Sequence, residues 1–417
     1  MKSLVSGAAR STCGKCELAV QESATKQKGL ASFLELCCEN DATSVGAAGE
    51  GRNGSSQDSY AVNVKAVVAA RAIRVGHKQF SRFCVLLGLP KPMHHKTFAG
   101  ITKKAHLAAT KAAAVNMELT RKMTAEVVEA TQLAVMFDGA WQKRGHKINN
   151  GVGTAISIDT GLGLDNKVLS NYCLSCSRHE AFEDEGEAEV WQAFHKLVCE
   201  KNTDGSSHAM ETKVALRTSL YATPLQFTIF LSDGDSKAYA AVLEANFYGT
   251  APIVKEDCTN HVAKRLGTGL RKIKTPLPRG QKLKDGTIQK LRSHFQIATG
   301  NLPGASTREH KPWVNQHRHT PILATAQAKT ILPIYKRLTE EKLLSHCVQG
   351  KTQNAAASLN RKIWVLCPKT RFALHTVMEM ATAIATLWFN KGHTGFEQVL
   401  QELGILPSQE PIMLSNK

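Results

Sequence analysis

The sequence lacks long hydrophobic runs and the short motifs that mark several common enzyme classes. No stretch of about 18 uncharged apolar residues is present, and the longest candidate, residues 376–389, carries Glu379. We therefore expect no membrane span. Residues 1–20 have no apolar core long enough for a secretory signal, and we expect none. No Walker loop, G-x-G-x-x-G, H-E-x-x-H or Ser-His-Asp elbow occurs, so nucleotide binding and the common hydrolase chemistries have no support.

Acidic residues are scarce relative to basic ones. The chain has 35 Asp and Glu against 53 Lys and Arg, a formal net charge of +18, and its pI is near 9.4. A surplus of this size indicates a polyanionic partner such as nucleic acid. The 417 residues are 42% hydrophobic, which suffices for two or three domains and excludes a wholly disordered chain. The eleven cysteines predict a reducing compartment, where Cys-x-x-Cys pairs indicate metal more often than disulfide.

Three segments differ in composition. Residues 1–57 are rich in Gly, Ser and Ala, and we predict a flexible, cysteine-containing head that either binds zinc weakly or carries free thiols. Apolar residues at helical spacing predict a helical region over 58–130, with a basic helix over 96–123 that could contact DNA or simply face solvent. Residues 131–410 are predicted to form the core, with C-terminal helices over 331–410.

Short apolar runs predict an α/β fold, a mixed sheet flanked by helices. Two of the runs end in acids, the first at Asp138 and the fourth at Asp233, with Asp235 as a second choice. Carboxylates at neighbouring strand ends can bind two divalent ions roughly 3.5–4 Å apart, as phosphoryl transfer requires, and their oxygen atoms suit Mg²⁺. A plain turn role is the alternative. The predicted strands are 133–137, 151–159, 164–169, 226–231 and a weak 250–254, and the predicted helices among them are 236–246 and 259–271.

An insertion over residues 173–220 carries a cluster of soft metal ligands. Cys173 and Cys176 form a Cys-x-x-Cys, and His195 and Cys199 follow at His-x-x-x-Cys spacing. Three thiolates and one imidazole suit tetrahedral zinc, and four ligands with no open position indicate a structural rather than a catalytic site. The insertion has little apolar material, so a metal would help to hold it together. Inert packing of the cysteines is the alternative.

Basic residues are concentrated in the segment 264–330, and above all between residues 264 and 292. A compact basic stripe neutralises phosphates and gives sequence-independent affinity for nucleic acid. Few aromatic residues interleave it, so contact with duplex backbone is favoured over stacking on single strands. A solvated helix is the alternative. The candidate DNA-binding residues are Lys264, Arg265, Arg271, Lys272 and Lys274.

Four sequence segments resemble those of the Mutator-like transposases, in the broad Mutator and Kolobok group. The segments are DGAWQKRGHKINNGVGTAISIDTG, LSDGDSKAY, KEDCTNHVAKRLGTGLRK and GKTQN with the SLN, IW and CPK that follow it. The resemblance implies a nuclear protein of transposable-element origin, with a ribonuclease H-like catalytic domain acting in DNA transposition and recombination. It also implies an Asp-Asp-Glu triad for two Mg²⁺ or Mn²⁺ ions, with Asp138 and Asp233 as the first two acids. Cys258 and His261 match the Cys-x-x-His signature of the group.

The third acid of the family pattern is missing. Ala357 stands where that pattern has Glu, and a methyl group cannot ligate a metal. Glu340 and Glu341 lie upstream on what is predicted to be another helix, and residues 293–320 are shorter than the family's insertion. The sequence therefore predicts a transposase-derived, catalytically inactive protein that binds duplex DNA. The alternatives are an active transposase with a substitute acid, and a zinc-stabilised interaction module with no DNA role. Self-association is left open.

Overall fold

A five-stranded mixed sheet forms the centre of the larger part of the chain. The computed structural model describes residues 18–22, 28–31, 34–38, 47–48, 60–129, 132–142, 149–178, 185–205, 207–217, 225–232, 236–249, 251–274, 282–298, 325–347, 350–370 and 372–405. The chain divides into two compact units, residues 1–116 with 376–417, and residues 117–375. These units differ from the segments drawn from composition, whose boundaries stay a prediction.

The first unit holds a small antiparallel sheet and several helices. Strands β1 (Leu18–Glu22), β2 (Leu34–Cys38) and β3 (Ala47–Ala48) pair in that order, in a region where the sequence pattern predicted no strands. The helices are α1 (Ala61–Ala72), α2 (His77–Leu86), α3 (His95–Val128), α13 (His375–Lys391) and α14 (Thr394–Glu402), of which α3 extends beyond residue 116.

Polar contacts join these helices within the first unit. His106 lies 3.0 Å from Glu379, and Lys111 lies 2.7 Å from Glu402. In the described part of the chain, no helix is both long enough and apolar enough to cross a membrane.

The second unit contains the sheet, in the order β6-β5-β4-β7-β8. Strand β5 pairs antiparallel with both β4 and β6. On the other side of β4, β7 pairs parallel with β4, and β8 pairs parallel with β7. The strands are β4 (Gln132–Trp141), β5 (Asn150–Ser157), β6 (Gly163–Ser170), β7 (Gln226–Ser232) and β8 (Val254–Asp257). The four strands predicted first agree to within a few residues, whereas the fifth lies later in the chain than predicted.

Helices cover the sheet. Those that follow β6 are α4 (Leu174–Arg178), α5 (Glu185–Lys196) and α6 (Ser207–Arg217), and α7 (Ser236–Ala245) follows β7. After β8 come α8 (Thr259–Lys274), α9 (Asp285–Ala298), α10 (Thr325–Leu338), α11 (Glu341–Ser345) and α12 (Asn354–Leu366).

Strand β4 presents different residues to the two faces of the sheet, because side chains alternate along a strand. Leu133, Val135 and Phe137 join the buried cluster that contains Met210 and Val214 of α6. Helix α6 therefore belongs to the core, although the sequence placed it in the zinc insertion. The intervening residues Met136 and Asp138 face the other side, where α12 lies.

A second buried cluster is built by α8, α9 and α10. Leu266 and Leu270 of α8 contribute to it together with Ile288 of α9 and Ile331 of α10. The apolar residues of α8 recur at helical spacing and are buried on this side, which leaves its basic residues on the other side.

Candidate functional site

Asp138 lies near the end of β4 and is half-buried. The Nδ2 amide of Asn360, on α12, donates a hydrogen bond of 2.8 Å to the Oδ2 atom of Asp138. Asn360 itself is buried. A buried amide that donates to a carboxylate fixes the position of that carboxylate, because leaving either group without its partner is costly.

Two further contacts seat the start of α12 on the same strand. The Nε2 amide of Gln353 donates 2.7 Å to the carbonyl oxygen of Phe137, and the backbone N–H of Ala356 lies 3.4 Å from the Sδ atom of Met136. Ala357 is exposed and lies three residues before Asn360, so it shares a side of the helix with that residue. The position that lacks the third acid is therefore on the helix that contacts Asp138.

The second acid of the predicted pair lies outside the described residues. Strand β7 is described up to Ser232, directly before Asp233 in the sequence, and Asp235 is likewise outside the described part. Met136 and Leu231 are partners in the parallel pairing of β4 with β7. The pairing of Asp138 with Asp233 stays a prediction.

The described residues around Asp138 do not form a metal-binding group by themselves. Within the described ranges, one group of three or more His, Cys, Asp or Glu side chains could hold a metal ion, and it does not include Asp138. Glu340 and Glu341 are exposed, and Glu341 begins the separate helix α11. The Mg²⁺ or Mn²⁺ centre therefore stays a prediction.

The signature residues Cys258 and His261 have different surroundings. Cys258 is buried at the start of α8, where its Sγ atom accepts the backbone N–H of Gln353 at 3.3 Å and its own N–H donates to the carbonyl of Ser232 at 3.0 Å. His261 instead lines a cleft along α8. Cys258 thus connects the end of β7 to the start of α12.

Other contacts join the start of α8 to α12 and to the residues directly before it. The Oγ1 hydroxyl of Thr259 donates to the carbonyl oxygen of Lys351 at 3.1 Å. The Nδ2 amide of Asn260 donates to the Oδ1 atom of Asn354 at 3.1 Å. Sequence reasoning noted the letters around Gln353 and Asn360 only as a family pattern, and it did not assign these two amides a contact with β4.

The four predicted zinc ligands converge. The ligand atoms of Cys173, Cys176, His195 and Cys199 all lie within 4.8 Å of one another, which agrees with the sequence prediction. The two sulfurs of Cys176 and Cys199 are 3.6 Å apart, too far for a disulfide of about 2.05 Å. A tetrahedral site with Zn–S bonds of about 2.3 Å has sulfurs about 3.8 Å apart. This group could hold a metal ion such as zinc.

The charges in this cluster fit a cation. Burial raises the pKa of Cys173, but hydrogen bonds involving the backbone of Cys176, Glu200 and Ser175 outweigh it and lower that pKa to about 6. Burial and the sulfurs of Cys199 and Cys173 raise the pKa of Cys176 to about 12. The neighbouring sulfurs therefore hinder the ionisation of Cys176, and a bound dication would remove this conflict.

An aromatic ring supports the imidazole of the cluster. Trp191 stacks on His195 with ring centroids 4.3 Å apart and an angle of 15° between the planes. Both residues are on α5, four positions apart, so helical periodicity places them side by side. This stacking restricts the orientation of the ring that could ligate the metal.

The basic residues of α8 lie along one side of that helix. Lys264, Arg271 and Lys272 are exposed, Arg265 is half-buried, and the side chain of Lys274 lies outside the described residues. A cleft of about 570 Å³ follows this side. Its lining residues are His261, Lys264, Arg265, Thr268, Gly269, Lys272, Ile273, Ile334 and Arg337.

Comparison with known proteins agrees with the sequence resemblance. The family model of the Mutator-like transposases matches residues 1–312. No curated protein and no solved structure matches the chain significantly. The family match covers most of the chain, including β4 to β8, the Cys3His cluster and α8. The chain therefore belongs to the Mutator-like transposase family.

Proposed function

We propose that this chain is a transposase-derived protein that binds duplex DNA in the nucleus and whose strand-transfer centre is inactive. The observation that carries the proposal is the hydrogen bond from Asn360 to Asp138. It seats α12 against the strand that bears the first acid, and it places Ala357 one turn from that contact. In our proposal α12 is the helix that would carry the third acid, and its position 357 is an alanine.

The strand order supports a ribonuclease H-like fold for this core. Three consecutive antiparallel strands are followed by two strands parallel to the first, so β4 lies in the middle of the sheet. In sheets of this kind the carboxyl ends of the central parallel strands meet at one edge, where a site can form. In our proposal, Asp138 near the end of β4 and Asp233 directly after β7 lie at that edge.

The missing acid accounts for the proposed inactivity. Two-metal phosphodiester transfer needs one ion to activate the attacking oxygen and another to stabilise the leaving oxygen. Two aspartates supply too few anionic ligands to hold both ions. In this chain Asn360 donates a hydrogen bond to Asp138, and Ala357, three positions earlier on the same helix, carries only a methyl group.

Duplex binding rests on charge. Helix α8 contains five Lys or Arg residues and no Asp or Glu, and Lys264, Arg271 and Lys272 are exposed on it. Lysine and arginine side chains that contact phosphates release condensed counterions, so affinity arises without base readout. Structural zinc at the Cys3His cluster would hold α4 and α5 together beside this core.

Binding of the purified chain to a 30-base-pair duplex, measured over a range of salt concentrations, tests the proposal. We expect tight binding at low salt and a steep, linear fall of the logarithm of affinity with the logarithm of salt concentration. If the chain does not bind the duplex at low salt, DNA binding is contradicted and the zinc-stabilised interaction module is favoured. Cleavage of the duplex in Mg²⁺ or Mn²⁺ would contradict inactivity and favour a substitute acid.

A further inference from the structure

Helices α8 and α10 enclose a cleft whose charges all have one sign. Helix α8 carries five Lys or Arg residues and α10 carries three, and neither helix contains Asp or Glu. Four of these cationic side chains line the cleft, of about 570 Å³. Three come from α8, namely Lys264, Arg265 and Lys272, and Arg337 comes from α10.

A glycine allows the two helices to lie close together. A Cβ atom on Gly269 would lie 3.1 Å from the Cγ2 atom of Ile334, closer than side chains normally pack. Arg337 follows Ile334 by three positions, so it lies on the same side of α10 and faces α8. Lys336, the adjacent cation, does not line the cleft. Of these two adjacent basic residues, only Arg337 is therefore placed to bind a ligand in the cleft.

The uncharged lining residues are suited to an oxyanion. Thr268 lines the cleft, is exposed and offers a hydroxyl donor, and His261 offers a ring nitrogen. Arginine presents several N–H donors in a planar arrangement that matches phosphate oxygens, while lysine acts as a point charge. Among the described ion pairs, none involves Lys264, Lys272 or Arg337, so these charges are not neutralised by acids there.

We propose that this cleft binds consecutive backbone phosphates of duplex DNA and that Arg337 is one of the residues that bind them. The inference rests on the proposed DNA-binding function and deepens it, because it assigns the phosphate contacts to a groove between two helices. The two arginines of the cleft, whose planar N–H donors match phosphate oxygens, and the lack of acids on both helices favour a phosphodiester chain as the occupant.

The test compares two substitutions that remove the same charge from neighbouring positions, Arg337→Ala and Lys336→Ala. Both side chains are exposed, so both variants should fold, and thermal unfolding checks this. Salt-dependent binding to a 30-base-pair duplex is then measured for both. We expect Arg337→Ala to lower the affinity about fivefold at 50 mM salt and to reduce the salt slope by about one. Lys336→Ala should change the affinity less than about twofold.

The outcomes separate this inference from the function on which it rests. If the unmodified chain does not bind the duplex, the proposed function is wrong and the cleft assignment falls with it. If the chain binds the duplex and both variants lose affinity equally, only the cleft assignment is overturned. Displacement of the duplex by polyglutamate as efficiently as by a second DNA of equal charge would also overturn it, in favour of an acidic peptide.

Discussion

The Nδ2 amide of Asn360 and the Oδ2 atom of Asp138 are 2.8 Å apart, although 222 positions separate the two residues in the chain. This contact joins α12 to the central strand of the sheet, and Asn360 is 6% exposed. A hydrogen bond to a carboxylate is among the stronger ones in proteins, so this pair contributes both to stability and to the position of Asp138.

Replacing Asn360 with Ala should lower the free energy of unfolding by about 1–3 kcal/mol, because the carboxylate of Asp138 then loses a buried donor. Asn360→Asp should cost more at neutral pH, since two carboxylates would face each other, and should recover as acid protonates one of them. Urea unfolding at pH 7 and pH 4.5 measures both effects. Arg361→Ala, on the exposed side of the same helix, is the control and should change little. Equal stability of all variants would contradict the contact.

Zinc content tests the Cys3His cluster. Purified protein should hold about one zinc per chain, and a chelator should remove it and lower the melting temperature. Cys176→Ser should abolish zinc retention because it removes one of the four ligands. Ser175→Ala, at the neighbouring exposed position, should retain zinc. Metal analysis that finds no zinc in protein prepared without chelators, or full retention in Cys176→Ser, would exclude the site.

Two glycines of α8 should respond differently to substitution by alanine. At Gly267 a Cβ atom would make ordinary contacts at 3.5 Å or more, so Gly267→Ala should stabilise the protein by up to about 1 kcal/mol through helix propensity. At Gly269 the same atom would press on Ile334, so Gly269→Ala should gain less or destabilise. In an Ile334→Ala background, the difference between the two substitutions should shrink. Denaturant unfolding of the three single variants and the two double mutants measures this. A difference that persists without the Ile334 side chain would show that another contact limits Gly269.

Removing the charges of α8 should weaken DNA binding without changing its sequence dependence. Neutralising Lys264, Arg265, Arg271 and Lys272 together should lower affinity for unrelated duplexes by similar factors and flatten the salt dependence. The control neutralises four exposed lysines outside the basic stripe of residues 264–292, namely Lys167, Lys237, Lys342 and Lys369. If both quadruple variants show the same salt slope as the unmodified chain, the DNA-binding surface lies elsewhere, and the helices over residues 61–128 are the next region to test.

Much of the sheet could be predicted from the sequence because its central strands are buried apolar runs. Strands β4 and β7 are mostly buried and were found within a few residues of their true ends. Strand β8 was misplaced because it consists of Val254–Asp257, whose buried residues Glu256 and Asp257 are acidic. Its hydrogen bonds with β7, rather than an apolar pattern, define it as a strand.

In the candidate sites, too, residues within short sequence motifs could be predicted, whereas residues that depend on contacts between distant parts of the chain could not. The convergence of the Cys3His cluster could be predicted because two short motifs of characteristic spacing carry all four of its residues. Arg337 could not, because its place in the cleft depends on how closely α10 approaches Gly269. The hydrogen bond between Asn360 and Asp138 could not be predicted either, because no local sequence pattern links the two residues.

Cleavage of a supercoiled plasmid and of a 30-base-pair duplex in Mg²⁺ and Mn²⁺ tests the central claim most directly. The unmodified chain should bind both substrates and neither nick nor join them above background, because Ala357 supplies no ligand beside Asp138. Ala357→Glu should give measurable nicking, Ser358→Glu on the next exposed position should not, and Asp138→Ala added to Ala357→Glu should abolish the gain. Nicking by the unmodified chain that disappears in Asp138→Ala would contradict the account.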